Sequence, residues 1–336
     1  MASHVSLQHV LSLDDAAAAL SVHYDDSNRL LLSATGSCVV SHPVDGRGES
    51  VTTEVSEGPV LAARFSLDDC NKVLAVQRSA SDVEFVAADG GSFWQRCRRV
   101  GEIILGFFWA SSGGVDFVLA TTCGLELYAL LPARNGLRLV EEKRKTGVAW
   151  LLYTHETRLA LLGCGPLGNR LFGFQFSGAG RVRLPKFELP ATSPVNADSV
   201  RLLACYGRLF CAHVDGEARR VVLYRFYRDA LLRQHSFPLP SPAVAASVID
   251  NALVLHTLDP GGPLSFVLDV LSASIHPLAS PLPLGLAETP PGGEQELPAA
   301  SELHFLPPDL VLHRCAPGYS GAVERNPSVF CTHCVA

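Results

Sequence analysis

The sequence predicts an all-β fold, a β-propeller of WD-repeat-like blades, and three observations carry that prediction. A short phrase returns at intervals of roughly 40 to 55 residues: small residues, an aromatic, a polar turn, then two apolar strands. Helix signals are scarce, with residues 14–20 the single alanine-rich candidate. The 336 residues are 48% hydrophobic and 18% charged, enough apolar material for a large core.

The clearest copy spans residues 59–86, where Phe65 ends an inner strand and Leu67-Asp68-Asp69-Cys70-Asn71 forms the turn. Residues 21–40 hold Tyr24 in the place of Phe65, with Asp25-Asp26-Ser27-Asn28 as the turn. Phe108 takes that place in residues 103–130, followed by a turn from Ser111 to Gly114. Tyr153 precedes Thr154-His155-Glu156-Thr157 in residues 148–176, Tyr206 anchors residues 202–226, and Ile249 precedes Asp250-Asn251 in residues 244–270. An incomplete copy starts at Leu303-His304-Phe305-Leu306. The expectation is about six clear blades and an incomplete seventh in residues 1–319, with a proline-rich insertion at about 277–298 and a divergent, disordered tail at 320–336. One blade buries its faces only against its neighbours, so the copies must close radially.

Acidic residues number 33 against 27 basic, a net charge of −6 that leaves no overall footprint for nucleic acid or a bulk anionic membrane. Two short basic runs, Gln95-Arg96-Cys97-Arg98-Arg99 and Lys143-Arg144-Lys145, read as solvated loops. The start of the chain lacks the basic and apolar segments of a secretory signal, and residues 103–110 are too short to span a bilayer. A soluble, intracellular protein is expected, with the ten cysteines as reduced thiols, several of them in apolar strands as at Cys123, Cys164, Cys205 and Cys211.

Several stretches invite a catalytic or ligand reading. Gly163-Cys164-Gly165-Pro166-Leu167-Gly168 matches G-x-G-x-x-G, but the strand-like residues 171–176 follow where a dinucleotide site needs a helix, so a hairpin loop is expected. His313, Cys315, Cys331 and Cys334 have zinc-ligating chemistry, yet only one C-x-x-C exists and no metal is expected. Paired acids occur at Asp14-Asp15, Asp25-Asp26 and Asp68-Asp69, and the latter two pairs fall in turns, where Asp bonds the local backbone. With no G-x-S-x-G, H-E-x-x-H or Walker A run, the chain is expected to be no enzyme and to hold no cofactor.

Ordered phrases go beyond a generic propeller. Residues 72–85 (KVLAVQRSASDVEF), 104–131 (ILGFFWASSGGVDFVLATTCGLELYALL) and 184–190 (LPKFELP), followed by VAWLLY at 148–153, VVLYRF at 221–226 and SVIDNALVLH at 247–256, resemble the N-terminal region of the regulator of the Mon-Ccz exchange complex, also called the Mic-one family. The resemblance covers about residues 24–319 and carries no active-site residue. It implies a propeller followed by a helical region, acting as a non-catalytic subunit beside the Mon and Ccz proteins. That assembly promotes nucleotide exchange on the late-endosomal Rab GTPase and supports endosome–lysosome traffic and autophagy, which places the protein in the cytoplasm, peripherally at late endosomes and lysosomes. The helical region has no counterpart here, and residues 320–336 depart from the family, as in a truncated isoform or an imperfect gene model. The alternatives are a propeller scaffold of another coat or tethering complex, or a propeller hydrolase whose acids and histidines converge on the central channel.

Overall fold

The computed structural model describes residues 6–13, 19–45, 48–67, 72–258, 264–272, 274–278, 280–283, 303–314 and 329–335. For the first and last strands, and for residues 283, 313 and 314, the backbone alone is described. The described residues form seven antiparallel sheets, six of them built from inner to outer strand in chain order.

Blade 1 contains β2 (Ser21–Asp25), β3 (Leu30–Ala34), β4 (Cys38–Pro43) and β5 (Val51–Glu54). Blade 2 contains β6 (Ala62–Phe65), β7 (Val73–Gln77), β8 (Asp82–Ala87) and β9 (Ser92–Arg96). Blade 3 has the longer strands β10 (Ile104–Ser112), β11 (Val115–Thr121), β12 (Gly124–Leu131) and β13 (Gly136–Arg144). Blade 4 holds β14 (Val148–Thr154), β15 (Leu159–Cys164), β16 (Arg170–Ser177) and β17 (Gly180–Arg183), with the short β18 (Phe187–Glu188) also paired to β16. Blade 5 has β19 (Val200–Cys205), β20 (Arg208–Asp215), β21 (Arg220–Phe226) and β22 (Leu231–Pro238). Blade 6 has β23 (Val244–Ile249), β24 (Ala252–Thr257), β25 (Leu264–Asp269) and β26 (Leu282–Pro283).

Blade 7 corrects the expectation of an incomplete last copy. Its inner strands β27 (Leu303–Leu306) and β28 (Leu310–Arg314) are followed by β29 (Val329–Val335), and the outermost strand is β1 (Ser6–Leu13) from the start of the chain. β29 therefore lies in the segment read as a divergent tail, paired on one edge with β28 and on the other with β1, from Ser6 opposite Val335 to Leu13 opposite Val329. Its partner β1 lies at the other end of the chain, so local alternation gave no sign of that pairing. β26 likewise lies inside the proline-rich stretch, whose residues 284–302 fall outside those described. Of the helix candidate, Ala19 and Leu20 are not helical and residues 14–18 lie outside the described residues.

The core follows from strand periodicity. Successive residues of a strand point to opposite faces, so a strand in the middle of a blade serves two neighbours. In β7, Val73 and Ala75 join the cluster shared with blade 3, while Leu74 and Val76 join that shared with blade 1. In β15, Leu159 and Leu161 face blade 5, and Ala160 and Leu162 face blade 3. This explains why the middle strands read as unbroken apolar runs. Seven such clusters fill the seven blade interfaces, the last joining Tyr24, Leu31 and Val44 of blade 1 to Leu310 and Leu312 of blade 7. Each buried Val, Leu or Phe contributes about 1.5–3 kcal/mol, gained only when the adjacent blade is in place.

Polar ties fix the connectors between blades. Arg78 donates to Glu84 at 2.7 Å, and to the carbonyls of Ser56, Gly58 and Pro59, so the blade 1–2 crossover is fastened to blade 2. Arg201 is buried and donates to the carbonyls of Ala246 and Asp198, each at 2.9 Å, tying blade 5 to blade 6. Cys38, Cys97, Cys123, Cys164, Cys205 and Cys211 are free thiols, with Cys164, Cys205 and Cys211 buried in strands. Among the described residues no helix is long and apolar enough to cross a membrane.

Candidate functional site

Turns between the first and second strands of blades 1, 4, 5, 6 and 7 lie near one another at one mouth of the central channel. Asp25 ends β2 with no solvent exposure and accepts four hydrogen bonds, from the Ser27 amide and hydroxyl, Asn28 Nδ2 and the Phe65 amide. Its neighbour Asp26 accepts from Arg64 Nη1 at 2.5 Å and from the backbone amide of His155 at 2.7 Å. Blades 1, 2 and 4 are thereby joined. Tyr153 stacks on Phe108 with centroids 3.7 Å apart, which adds blade 3. On the other side, Asp309 accepts from Tyr24 Oη at 3.1 Å and from Arg29 Nη1 at 2.6 Å, linking blades 7 and 1. The Tyr206 amide donates to Asn251 Oδ1 at 2.6 Å, and its hydroxyl to Asp269, linking blades 5 and 6.

The electrostatics of the mouth follow from this crowding. Burial opposes the charge on Arg64, but Asp26 and then Asp25 outweigh it and raise its pKa. The His155 imidazole pKa is shifted down by desolvation against the opposing pull of Asp26, and among the described residues its buried Nδ1 has no hydrogen-bond partner. At Glu156, in the turn after β14, lost hydration, followed by the charges of Asp309, Asp250 and Asp26, raises the carboxyl pKa. Acids and histidines do therefore converge here, the arrangement a propeller hydrolase requires. Two of the acids, however, are engaged in holding the blades together. The Asp25 carboxylate is closed off by its own turn and by blade 2, and Asp26 is occupied by Arg64 and a backbone amide.

The glycine run lies in the hairpin between β15 and β16, as a strand-flanked loop. Its glycines make room for Trp150: a Cβ on Gly163 would lie 2.0 Å from the indole, and the Trp150 N–H donates to the Gly168 carbonyl at 3.1 Å. The backbone freedom is used for packing. Of the zinc candidates, Cys315 lies outside the described residues, and His313, Cys331 and Cys334 are described by backbone only. Asp14-Asp15 and Asp68-Asp69 also lie outside the described residues. Among the described residues no group of three or more His, Cys, Asp or Glu is arranged to hold a metal ion.

The two basic runs, read separately as solvated loops, meet on the rim. Each occupies the junction between the outer strand of one blade and the inner strand of the next, so blade geometry brings them side by side. Arg99 is bonded to Glu142, which also takes Arg144 Nε at 3.2 Å and lies 3.8 Å from Arg98. Glu141 is bonded to Lys143 and receives Arg181 Nη2 at 3.2 Å from β17. Hydrogen bonds from Arg99 and then Arg144 hold the Glu142 carboxyl below its usual range, and Lys143 and then Arg181 do the same for Glu141. A groove of about 450 Å³ runs between β13 and β17, lined by these groups and by Arg183 and Phe174. A neighbouring hollow of about 370 Å³ is lined by Arg99, Cys123, Arg144, Lys145 and Thr146. The signal that locates this cluster in the sequence is positional: both runs stop a few residues short of the next inner strand, at Ile104 and Val148.

Comparison with known proteins adds what geometry alone does not supply. Residues 22–137 match the family described as regulator of MON1-CCZ1 complex, N-terminal. The regulator of MON1-CCZ1 complex of Homo sapiens is 32% identical over 263 residues, covering 71% of this chain and 39% of the relative. The Mus musculus protein of the same name is 31% identical over the same span. The chain thus spans 39% of the length of these curated relatives. Among solved structures, Chaetomium thermophilum Raptor superposes with a TM-score of 0.54 at 13% identity, covering 98% of this chain and 28% of that one. Virginiamycin B lyase from Staphylococcus aureus gives 0.54 at 10% identity, covering 98% and 99%. BBS1N, solved in complex with ARL6DN, gives 0.53 at 13%, covering 98% and 97%. These likenesses are of fold, and one of the three is named as a lyase while the other two are not, so architecture does not choose a function.

Proposed function

The chain belongs, through its N-terminal region, to the regulator of MON1-CCZ1 complex family, and from that membership we propose that it is a non-catalytic propeller subunit that holds or orients the exchange complex at late endosomes. The observation that carries the reading is the 32% identity over 263 residues to a relative named as a regulator of that complex. Exchange on the late-endosomal Rab GTPase belongs to the partners, and the propeller supports it, and with it endosome–lysosome traffic and autophagy, by placement. The channel-mouth carboxylates favour a scaffold, because Asp25 and Asp26 are spent on joining blades. Membrane association is peripheral and runs through the complex.

The test is reconstitution. Purified chain is mixed with co-expressed MON1 and CCZ1 proteins at low salt and resolved by gel filtration. Co-elution with both is expected, with the nucleotide-exchange step still present when the chain is left out. Separate elution at low salt overturns the reading, as does loss of the chemical step itself on omitting the chain.

A further inference from the structure

The basic groove on the rim of blades 3 and 4 carries more positive charge than its ion pairs between blades use. Its cations exceed its carboxylates: Glu141 and Glu142 are shared among Arg99, Arg144, Lys143 and Arg181, and Arg183 has no ion pair among the described residues. Lys145 is held over the Phe172 ring at 4.1 Å, a contact that leaves its charge unneutralised. In a chain of net charge −6 this is a local reversal of sign. The shared carboxylates fix the guanidinium groups in place, so the surface is ordered before anything binds.

We propose that this groove docks an extended, acidic segment of a partner protein, running along the outer edge of β13. Three features select that occupant. β13 is the outermost strand of its sheet, so alternate backbone N–H and C=O groups along nine residues point outward, available for strand addition. An added strand sends its side chains alternately to the two faces of the sheet, each row at about 6.6 Å spacing, so carboxylates in one row reach Arg183 and Lys145 on the blade 4 side and those in the other reach Arg144, while positions opposite Glu141 and Glu142 can be left uncharged. A sheet of lipid phosphates has no such freedom to avoid the two glutamates. The groove stands on its own charge and geometry; only the assignment of the segment to a member of the exchange complex rests on the function proposed above.

The test is titration of the intact chain into a fluorescein-labelled Glu-rich 12-residue peptide, read by anisotropy, with phosphatidylserine vesicles in a parallel flotation arm. Saturable binding is expected, weakening about tenfold between 50 and 200 mM salt. Arg183→Glu with Arg144→Glu removes binding, at least tenfold in affinity, while Arg228→Glu with Arg233→Glu on blade 5, an equal change in charge, has under a twofold effect. Circular dichroism on both variants confirms the fold, and Arg183→Gln with Arg144→Gln gives an intermediate loss. Absence of peptide binding at 50 mM salt, an equal loss in the blade 5 variant, or capture by vesicles in preference to peptide overturns the proposal. If the groove variant binds no peptide yet still co-elutes with MON1 and CCZ1, the complex reading survives and the assignment of the segment to it falls.

Discussion

Asp26 and His155 are separated by 129 residues, yet the Asp26 carboxylate accepts the His155 backbone amide at 2.7 Å across the ring. Because the second oxygen of Asp26 takes Arg64 at 2.5 Å, one side chain holds the turns of blades 1, 2 and 4 together. Contacts between non-neighbouring blades are costly in chain entropy and form only when the ring is closed. The residue is thus a reporter of closure.

Asp26→Ala is expected to lower stability by about 2–4 kcal/mol, since it leaves a mostly buried guanidinium with only the more distant Asp25, at 3.9 Å, and strands an amide. Asp26→Asn keeps an acceptor for the His155 amide and costs less, about 1–3 kcal/mol. Urea unfolding followed by tryptophan fluorescence measures both. Equal losses in the two variants would show that charge has no part in the tie.

The blade count was legible because the inner strand and its turn repeat: Tyr24, Phe65, Phe108, Tyr153 and Ile249 all lie in the inner strands the phrase assigns. Tyr206 instead lies in the turn after β19 and is 48% exposed, so its aromatic character belongs to the mouth network rather than to the core. What the sequence concealed was pairing between distant segments. β1 and β29 satisfy each other, and neither has a local turn signal connecting it to its partner. The same holds for the rim: Arg99 and Glu142 lie 43 residues apart, and only the packing of consecutive blades makes them one surface. Asp25 was legible as a turn residue from its neighbours Ser27 and Asn28, but its bond to the Phe65 amide was not.

Gly163→Ala tests the packing reading of the glycine run. The added methyl would lie 2.0 Å from Cε2 of a Trp150 whose own position is fixed by its bond to Gly168. The expected loss is about 2–4 kcal/mol, the range of overpacking together with a broken buried hydrogen bond. Gly178→Ala in the following turn, where nothing lies within 4 Å, is the control and is expected to change stability by under about 0.5 kcal/mol. Thermal unfolding of both decides it, and an unchanged midpoint for Gly163→Ala would mean that the indole has another place to go.

His256 makes stability depend on pH in a direction that the structure fixes. Its ring is fully buried on β24 between Ser265 Oγ, 2.9 Å from Nδ1, and Ser247 Oγ, 3.1 Å from Nε2, and packs on Phe305 of blade 7. Burial pushes its pKa down to about 3 from the ordinary 6.5. Between those values the unfolded chain holds a proton that the folded chain does not, so this contribution is complete above pH 6.5 and is lost as pH falls below it. By pH 4.5 the loss amounts to about 3 kcal/mol. His155 and His213, also lowered by burial, act with the same sign. In His256→Asn the parent's slope between pH 6.5 and 4.5 is expected to flatten, while stability at pH 7.5 drops by about 1–3 kcal/mol because the two serines lose a well-placed partner. Urea midpoints across that pH range give both quantities. A variant that keeps the full slope would assign the acid sensitivity to other groups and leave His256 as packing alone.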